Sequence, residues 1–391
     1  MFSRSIAVAA VLLSAIAGTA PAQQPPALTV TRELLITPEE ADLNDTRYLA
    51  VSPRGHILVS QSREGFIKVF APGGQSQKIG RPGEGPGEFR FPTQIGFVGD
   101  SLYAIDHALV RVYRFSADFK FVRGFPEPFS PVAPTMPYPH FYDFTRAVLP
   151  GGDLRANATI PGSGSARPSW AARLDSNAIA IVSITPAGDF RKLLLLVPPP
   201  AKPCSVSALF THKNGRGDQV TSQIPYCPVP LVTDDQGAAG GVASVEVGLV
   251  SRTTGSYGVR AVDDHGVAKF TRSISYTPVP ITKASRDSLA RARTVYEKSR
   301  EFIPESPNPD PYPTYPPIRR VLLGRDYSVW LEEHSNTPGH RWLVLDAKGS
   351  TVGSVTLPPE VTLKVVELGR AWGTTTDADG LQGIVRYRVG R

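Results

Sequence analysis

Along most of the chain, runs of four to seven residues rich in Val, Ile, Leu, Tyr and Phe alternate with turns rich in Gly, Pro and Asp. That spacing predicts antiparallel strands joined by short hairpins. The runs also repeat. Gly55-His56-Ile57-Leu58-Val59 followed by Phe66-Ile67-Lys68-Val69-Phe70 aligns without gaps, 45 residues on, with Asp100-Ser101-Leu102-Tyr103-Ala104 followed by Arg111-Val112-Tyr113-Arg114-Phe115. A period of about 40–50 residues made of four short strands is the pattern of a propeller blade.

Looser units of the same kind run over Thr145 to Val197, Leu231 to Tyr276, Ile318 to Leu357 and Val361 to Val389. The last has about three strands, whereas Leu28 to Ile36 is a strand without a blade. Pairing the two would leave no open edge in the ring. The expectation is therefore an all-β protein: a six-bladed β-propeller of four-stranded antiparallel blades whose N-terminal strand closes the last blade, residues 23–391 forming one domain. A short helix is expected at about Ser285 to Arg300 in an inter-blade insertion, N-capped by Ser285, with Leu289, Ala292 and Tyr296 laid on the ring.

Three long insertions, 126–143, 198–230 and 277–316, all fall where the outer strand of one blade leads to the inner strand of the next, while the turns opening on the other face are short. One face is thus elaborated, and long loops on a rigid scaffold are where binding concentrates. Tyr138, His140, Tyr142, Tyr312 and Tyr315, set among prolines in these loops, are the candidate contacts; stiff extended chain loses little entropy on ordering.

The segment Ile79-Gly80-Arg81-Pro82-Gly83-Glu84-Gly85-Pro86-Gly87-Glu88-Phe89, with Phe91-Pro92, Leu102-Tyr103-Ala104-Ile105-Asp106 and Arg111-Val112-Tyr113-Arg114-Phe115, resembles an NHL-type repeat. The C-terminal pattern of Trp342 to Asp346, Gly353 to Pro358, Trp372-Gly373 and Arg386-Tyr387 resembles exported bacterial six-bladed propellers of unassigned function. Both resemblances imply a fold and bring no catalytic motif. The glycine-rich stretch leads into another strand, so it reads as a turn and not as the strand-to-helix loop that cradles phosphate.

Composition adds the compartment. Residues 1–22 carry one charge, Arg4, then the apolar run Ile6 to Ala17 and Ala20-Pro21-Ala22, the layout of a signal peptide cleaved after Ala22. No apolar run reaches the roughly 20 residues of a membrane span. In an exported, secreted or periplasmic protein the only two cysteines, Cys204 and Cys227, are assigned to a disulfide. Proline and glycine together make up about 19% of the residues, below the roughly 25–30% of low-complexity chains, so the excess belongs to turns and insertions. The net charge of +7 is spread out and, with export, does not point to nucleic acid.

Chemistry is faint. No nucleophile elbow and no HExxH is present. Glu64, Asp106, His107, Glu332, His334 and Asp377 map to the elaborated face and are the candidate ligands for a divalent cation at the channel mouth, as in gluconolactonase-type six-bladed enzymes. Asp106, ending a strand, is read first as a structural carboxylate. The sequence thus supports a monomeric, non-catalytic binding or scaffold propeller without a cofactor, recognising a peptide, glycan or protein on its loop-rich face. The alternative is a metal-dependent hydrolase or lyase at the channel mouth.

Overall fold

The computed structural model describes residues 25–128, 145–160, 169–200, 204–212, 217–233, 240–250, 253–300, 302–304 and 311–390. Six four-stranded antiparallel sheets form the blades. From the axis outward, blade 1 comprises Leu49–Val51, Ile57–Gln61, Phe66–Phe70 and Ser76–Ile79. Blade 2 comprises Pro92–Val98, Ser101–Asp106, Arg111–Phe115 and Phe121–Pro126. Blade 3 comprises Thr145–Val148, Leu154–Thr159, Ile179–Ile184 and Phe190–Val197. Blade 4 takes Leu231–Val232, Val242–Val250, Gly255–Val262 and Ala268–Tyr276. Blade 5 takes Ile318–Leu323, Val329–Glu333, His340–Leu345 and Thr351–Leu357.

Blade 6 is made of Val361–Glu367, Arg370–Thr376 and Gln382–Gly390, and its outer strand is the N-terminal Thr29–Ile36. The closing pair is antiparallel from Thr29 opposite Gly390 to Ile36 opposite Ile384. Just before it, Pro26 and Leu28 bond to Ser354 on the outer strand of blade 5. The N-terminus therefore stitches two blades.

The hydrophobic clusters explain why the strands read as continuous apolar runs. Each lies between two successive blades, so both faces of a blade are buried and neighbouring residues of a strand enter different clusters. In blade 1, Leu58 packs towards blade 2, whereas Ile57 and Val59 pack towards blade 6. Arginines add polar ties across the same interfaces. Arg155 donates to the carbonyl of Gly241, Arg260 to Leu196 and Arg272 to Gly349. Arg325 donates to Val51 and Ser52 of blade 1 while it pairs with Glu367 of blade 6.

The glycine-rich stretch is a crossing from blade 1 to blade 2. Phe89 N–H donates to Arg81 O and Gly83 N–H to Phe89 O, which folds the loop over the fully buried Phe89 ring. Gly80, at φ +75°, lies so close to that ring that a Cβ would stand 2.4 Å from it. A phosphate cradle is not what these glycines form.

Several expectations change. A long connection also occurs within blade 3 between its second and third strands, residues 160–178, and its Trp170 stacks on Phe190 at the start of the outer strand at 4.6 Å. On the opposite face the turn over residues 233–241 of blade 4 is longer than its counterparts. The insertion helix spans Lys283–Arg300, 18 residues, and its cap is Thr282, whose Oγ1 accepts from Ser285 N–H. Of the residues expected to lie on the ring, Leu289 is half-buried and Ala292 is exposed, whereas the Tyr296 side chain lies outside what the structure describes. The insertions hold an added sheet in which Ser205–His212 pairs with Gly217–Gln223 and with Phe302–Pro304. Residues 1–24, which carry the signal-peptide reading, lie outside the described residues.

Candidate functional site

The second and third insertions dock on each other above blade 5. Cys204 and Cys227 form a disulfide, with Cα atoms 5.5 Å apart, that ties the ends of the second insertion's hairpin. Next to it, Tyr226 meets the Tyr315 ring edge-on at 4.8 Å, and Tyr312 N–H donates to Pro225 O. Tyr315 donates its hydroxyl to Ser285 Oγ at 2.6 Å and stacks on His334 at 5.0 Å, with only 10° between the rings. His334 belongs to the hairpin between the second and third strands of blade 5, so this stack fastens the insertions to the ring. Tyr315-Pro316-Pro317 then runs on into blade 5, and His334 N–H donates to Pro317 O.

Beneath this roof a cleft of about 1330 Å³ runs along the outer part of the interface between blades 4 and 5. Tyr257 and Tyr276 form one wall, Glu333 and Arg341 the other, and Pro25-Pro26 reaches in from the N-terminus. The strand register explains the first wall. Gly255 sits opposite Tyr276, and because it has no side chain the ring lies across the neighbouring strand, where a Cβ would approach it to 2.5 Å. The two tyrosine rings are 5.7 Å apart. The second wall follows from the period of two along a strand. Leu331 and Leu343 pack towards blade 4, so Glu333 and Arg341, two residues on or back, face the same side.

Glu333 Oε2 lies 3.1 Å from Arg341 Nε. Burial raises the Glu333 carboxyl above its ordinary pKa, against the pull of Arg341. Burial, then the Glu333 charge and Tyr276, raise the Tyr257 phenol, so it is a neutral hydrogen-bonding group. Burial and the nearby Arg319 lower His334 to about 4, leaving an uncharged ring at neutral pH.

The remaining candidates are dispersed. Asp106 is fully buried, and its two oxygens accept from the backbone N–H groups of Arg90, Phe91, Ala108 and Leu109. His107 lies at the interface of blades 2 and 3, lowered to about 4 by burial and by Arg146. Glu64 accepts from Asn44 Nδ2 on blade 1. Glu332 faces blade 6, away from the cleft, with His340 Nδ1 at 2.7 Å and Arg319 and Arg320 each at 3.5 Å. Asp377 accepts from Asp379 and Leu381 N–H in its own turn. Among the described residues no three His, Cys, Asp or Glu side chains are placed to hold a metal ion. Of the aromatic candidates, Tyr315 lines the cleft and Tyr312 does not, whereas Tyr138, His140 and Tyr142 lie outside the described residues.

Sequence reasoning missed Tyr257, Tyr276 and Arg341, and it set Glu333 among the carboxylates of the elaborated face near the channel mouth, not in this cleft. The available signal was Glu332-Glu333 at the end of a strand otherwise apolar, but nothing in the chain said which side each would face.

No family model matches the chain, and no curated protein matches it. Solved structures do. Virginiamycin B lyase from Staphylococcus aureus is similar at 12% identity and a TM-score of 0.40, over 92% of this chain and 99% of that one. A PQQ-bound aldose sugar dehydrogenase from Streptomyces coelicolor is similar at 15% identity and a TM-score of 0.41, over 93% of this chain and 99% of that one. A member of the DUF4221 family from Bacteroides vulgatus is similar at 9% identity and a TM-score of 0.47, over 94% and 99%. These likenesses carry no activity or site over to this chain. Among the described residues no helix is long and apolar enough to cross a membrane.

Proposed function

We propose that this chain is an exported binding propeller of the NHL-like kind, without catalytic activity of its own, that takes its ligand in the cleft between blades 4 and 5. The observation that carries this reading is the cleft itself. It is larger than the roughly 300–1,000 Å³ of drug-sized sites, it opens on the elaborated face, and aromatic rings with a few convergent polar groups line it. Its roof is held by a disulfide, a hydrogen bond and two ring contacts, so the walls are organised before any ligand arrives. Such preorganisation reduces the entropy lost on binding.

A thermal-shift screen of peptides and saccharides tests the reading, with a blocked variant beside the wild type. Thr351 is exposed, lines the cleft and sits opposite Leu345, whose side chain packs towards blade 4, so Thr351→Trp projects into the cleft without touching the core. Ligands that raise the melting temperature of the wild type are expected to lose that effect in Thr351→Trp. Hits that stabilise the wild type and Thr351→Trp equally, or no hit at all, would overturn the proposal.

A further inference from the structure

We infer that the insertion helix, Lys283–Arg300, docks the protein on the surface of an anionic phospholipid bilayer. Charge of both signs is spread along the chain, but this helix concentrates one sign. Its 18 residues include six basic ones, Lys283, Arg286, Arg291, Arg293, Lys298 and Arg300, against two acidic ones, Asp287 and Glu297. Even with both acidic residues paired within the helix, four positive charges remain in excess, spread over about 27 Å of its length.

Helical geometry sorts these residues. At about 3.6 residues per turn, every charged position falls in one half of the circumference, while the other half, with Ala284, Leu289, Ala292 and Val295, carries no charge. The helix meets the body of the protein along one edge of the uncharged half. There Ser285 accepts from the Tyr315 hydroxyl at 2.6 Å, and Leu289 is half-buried. Away from that edge Lys283, Arg286 and Arg291 are exposed, as are Ala284 and Val295 at the border of the charged half. Among the described residues the one ion pair on the helix joins Lys283 to Asp287 at 2.8 Å.

A row of basic residues on an exposed helix complements an anionic surface, and each one near the headgroups adds to the attraction. The residues between the charges favour a bilayer over a folded acidic partner. Protein interfaces are anchored by large side chains seated in shaped pockets, whereas the exposed positions described here between the charges are Ala, Ser, Thr and Val. Fluid headgroups follow such a row without needing a complementary shape, and Ala284 and Val295 are placed to enter the boundary between headgroups and acyl chains. The helix belongs to the third insertion, so docking turns the elaborated face towards the membrane.

The test uses the full mature chain in co-sedimentation with vesicles of phosphatidylglycerol and phosphatidylcholine in equal parts, beside vesicles of phosphatidylcholine alone. Binding is expected with the anionic vesicles only, and it should be lost at about 0.5 M salt. Arg286→Glu combined with Arg291→Glu should weaken it at least tenfold. Lys120→Glu combined with Arg370→Glu changes the net charge equally at exposed positions on blades 2 and 6, and binding should stay within about twofold. Thr351→Trp, which blocks the cleft, should bind vesicles as the wild type does. Melting temperatures are measured alongside, so that a folding defect is not read as lost binding. No binding to the anionic vesicles, equal binding to the neutral ones, or equal losses in the two double variants would overturn the inference. Binding of a polyglutamate peptide that depends on Arg286 and Arg291, without vesicle binding, would overturn it in favour of an acidic polypeptide. In each of those outcomes the reading of the cleft stands, because it rests on different residues.

Discussion

Acidification should loosen the fold through two histidines, and His334 lets the effect be assigned to the roof of the cleft. In the folded chain His334 and His107 titrate at about 4, against an ordinary 6.5. Between those values the unfolded chain binds a proton at each site that the folded chain does not, so stability falls as pH falls from about 6.5 to about 4. At 1.36 kcal/mol per pKa unit the shift corresponds to roughly 3 kcal/mol at each site. Both rings keep some contact with water, and screening reduces this to on the order of 1–2 kcal/mol each. Glu127 and Glu333, raised by burial, act with the opposite sign, because folding there takes up protons above the ordinary carboxylate range. The informative quantity is therefore the difference between wild type and His334→Gln, whose side chain is planar and uncharged. Urea unfolding at pH 7 and pH 4.5 should show the wild type losing about 1–2 kcal/mol more than the variant. Protection of the Tyr315 and Tyr226 amides against hydrogen exchange, taken relative to the intrinsic rate at each pH, should fall at the lower pH in wild type only. Equal losses in the two proteins would refute the burial of a neutral His334 against Tyr315.

Other outcomes follow from the ties of the ring. Arg325→Met removes the contact to Glu367 at 2.6 Å, two backbone acceptors and a guanidinium lying 4.9 Å over Trp372; it should cost about 2–3 kcal/mol in denaturant melts. A cycle with Glu367→Gln should return a coupling of about 1 kcal/mol or more, and additive effects would speak against the pair. Asp106→Ala leaves four backbone donors without their acceptor, and a loss of about 3 kcal/mol or more is expected; a near-neutral variant would contradict its structural role. Replacing Cys204 and Cys227 by Ser removes a cross-link worth roughly 3 kcal/mol in the chain-entropy account. Exchange in the strand Gly217–Gln223 should rise at least tenfold while that of Val329–Glu333 is unchanged, and a uniform change across both would show that the insertion sheet and the ring unfold as one unit.

Much of the architecture was legible because its determinants are local. Turns such as Asp263 to Gly266 and Asp346 to Gly349 are built by an aspartate that accepts from the N–H groups two and four residues on, and they recur from blade to blade. The helix Pro38–Ala41, with Thr37 and Glu40 capping each other, has an equally local cause but was not among the expected elements. The insertion helix was legible in outline only. Its capping residue lies three positions before the serine chosen from the sequence, because Thr282 and Ser285 both suit a cap and their hydroxyls lie within 2.9 Å of each other.

By itself the sequence determined the blade strands, the number of blades, the closing role of Thr29–Ile36 and the pairing of the two cysteines. These follow from the period of the apolar runs, the turn residues and the length of each connection. Only the tertiary structure decided where a site could form. Glu332 and Glu333 are neighbours, yet the period of two in a strand sends the first to His340, Arg319 and Arg320 against blade 6 and the second to Arg341 in the cleft with blade 4. Likewise Phe302–Pro304 joins Ser205–His212 from some 90 positions away. Pairings over that distance depend on how the blades pack and where adjacent blades leave a gap between them, and no local pattern of residues encodes that gap.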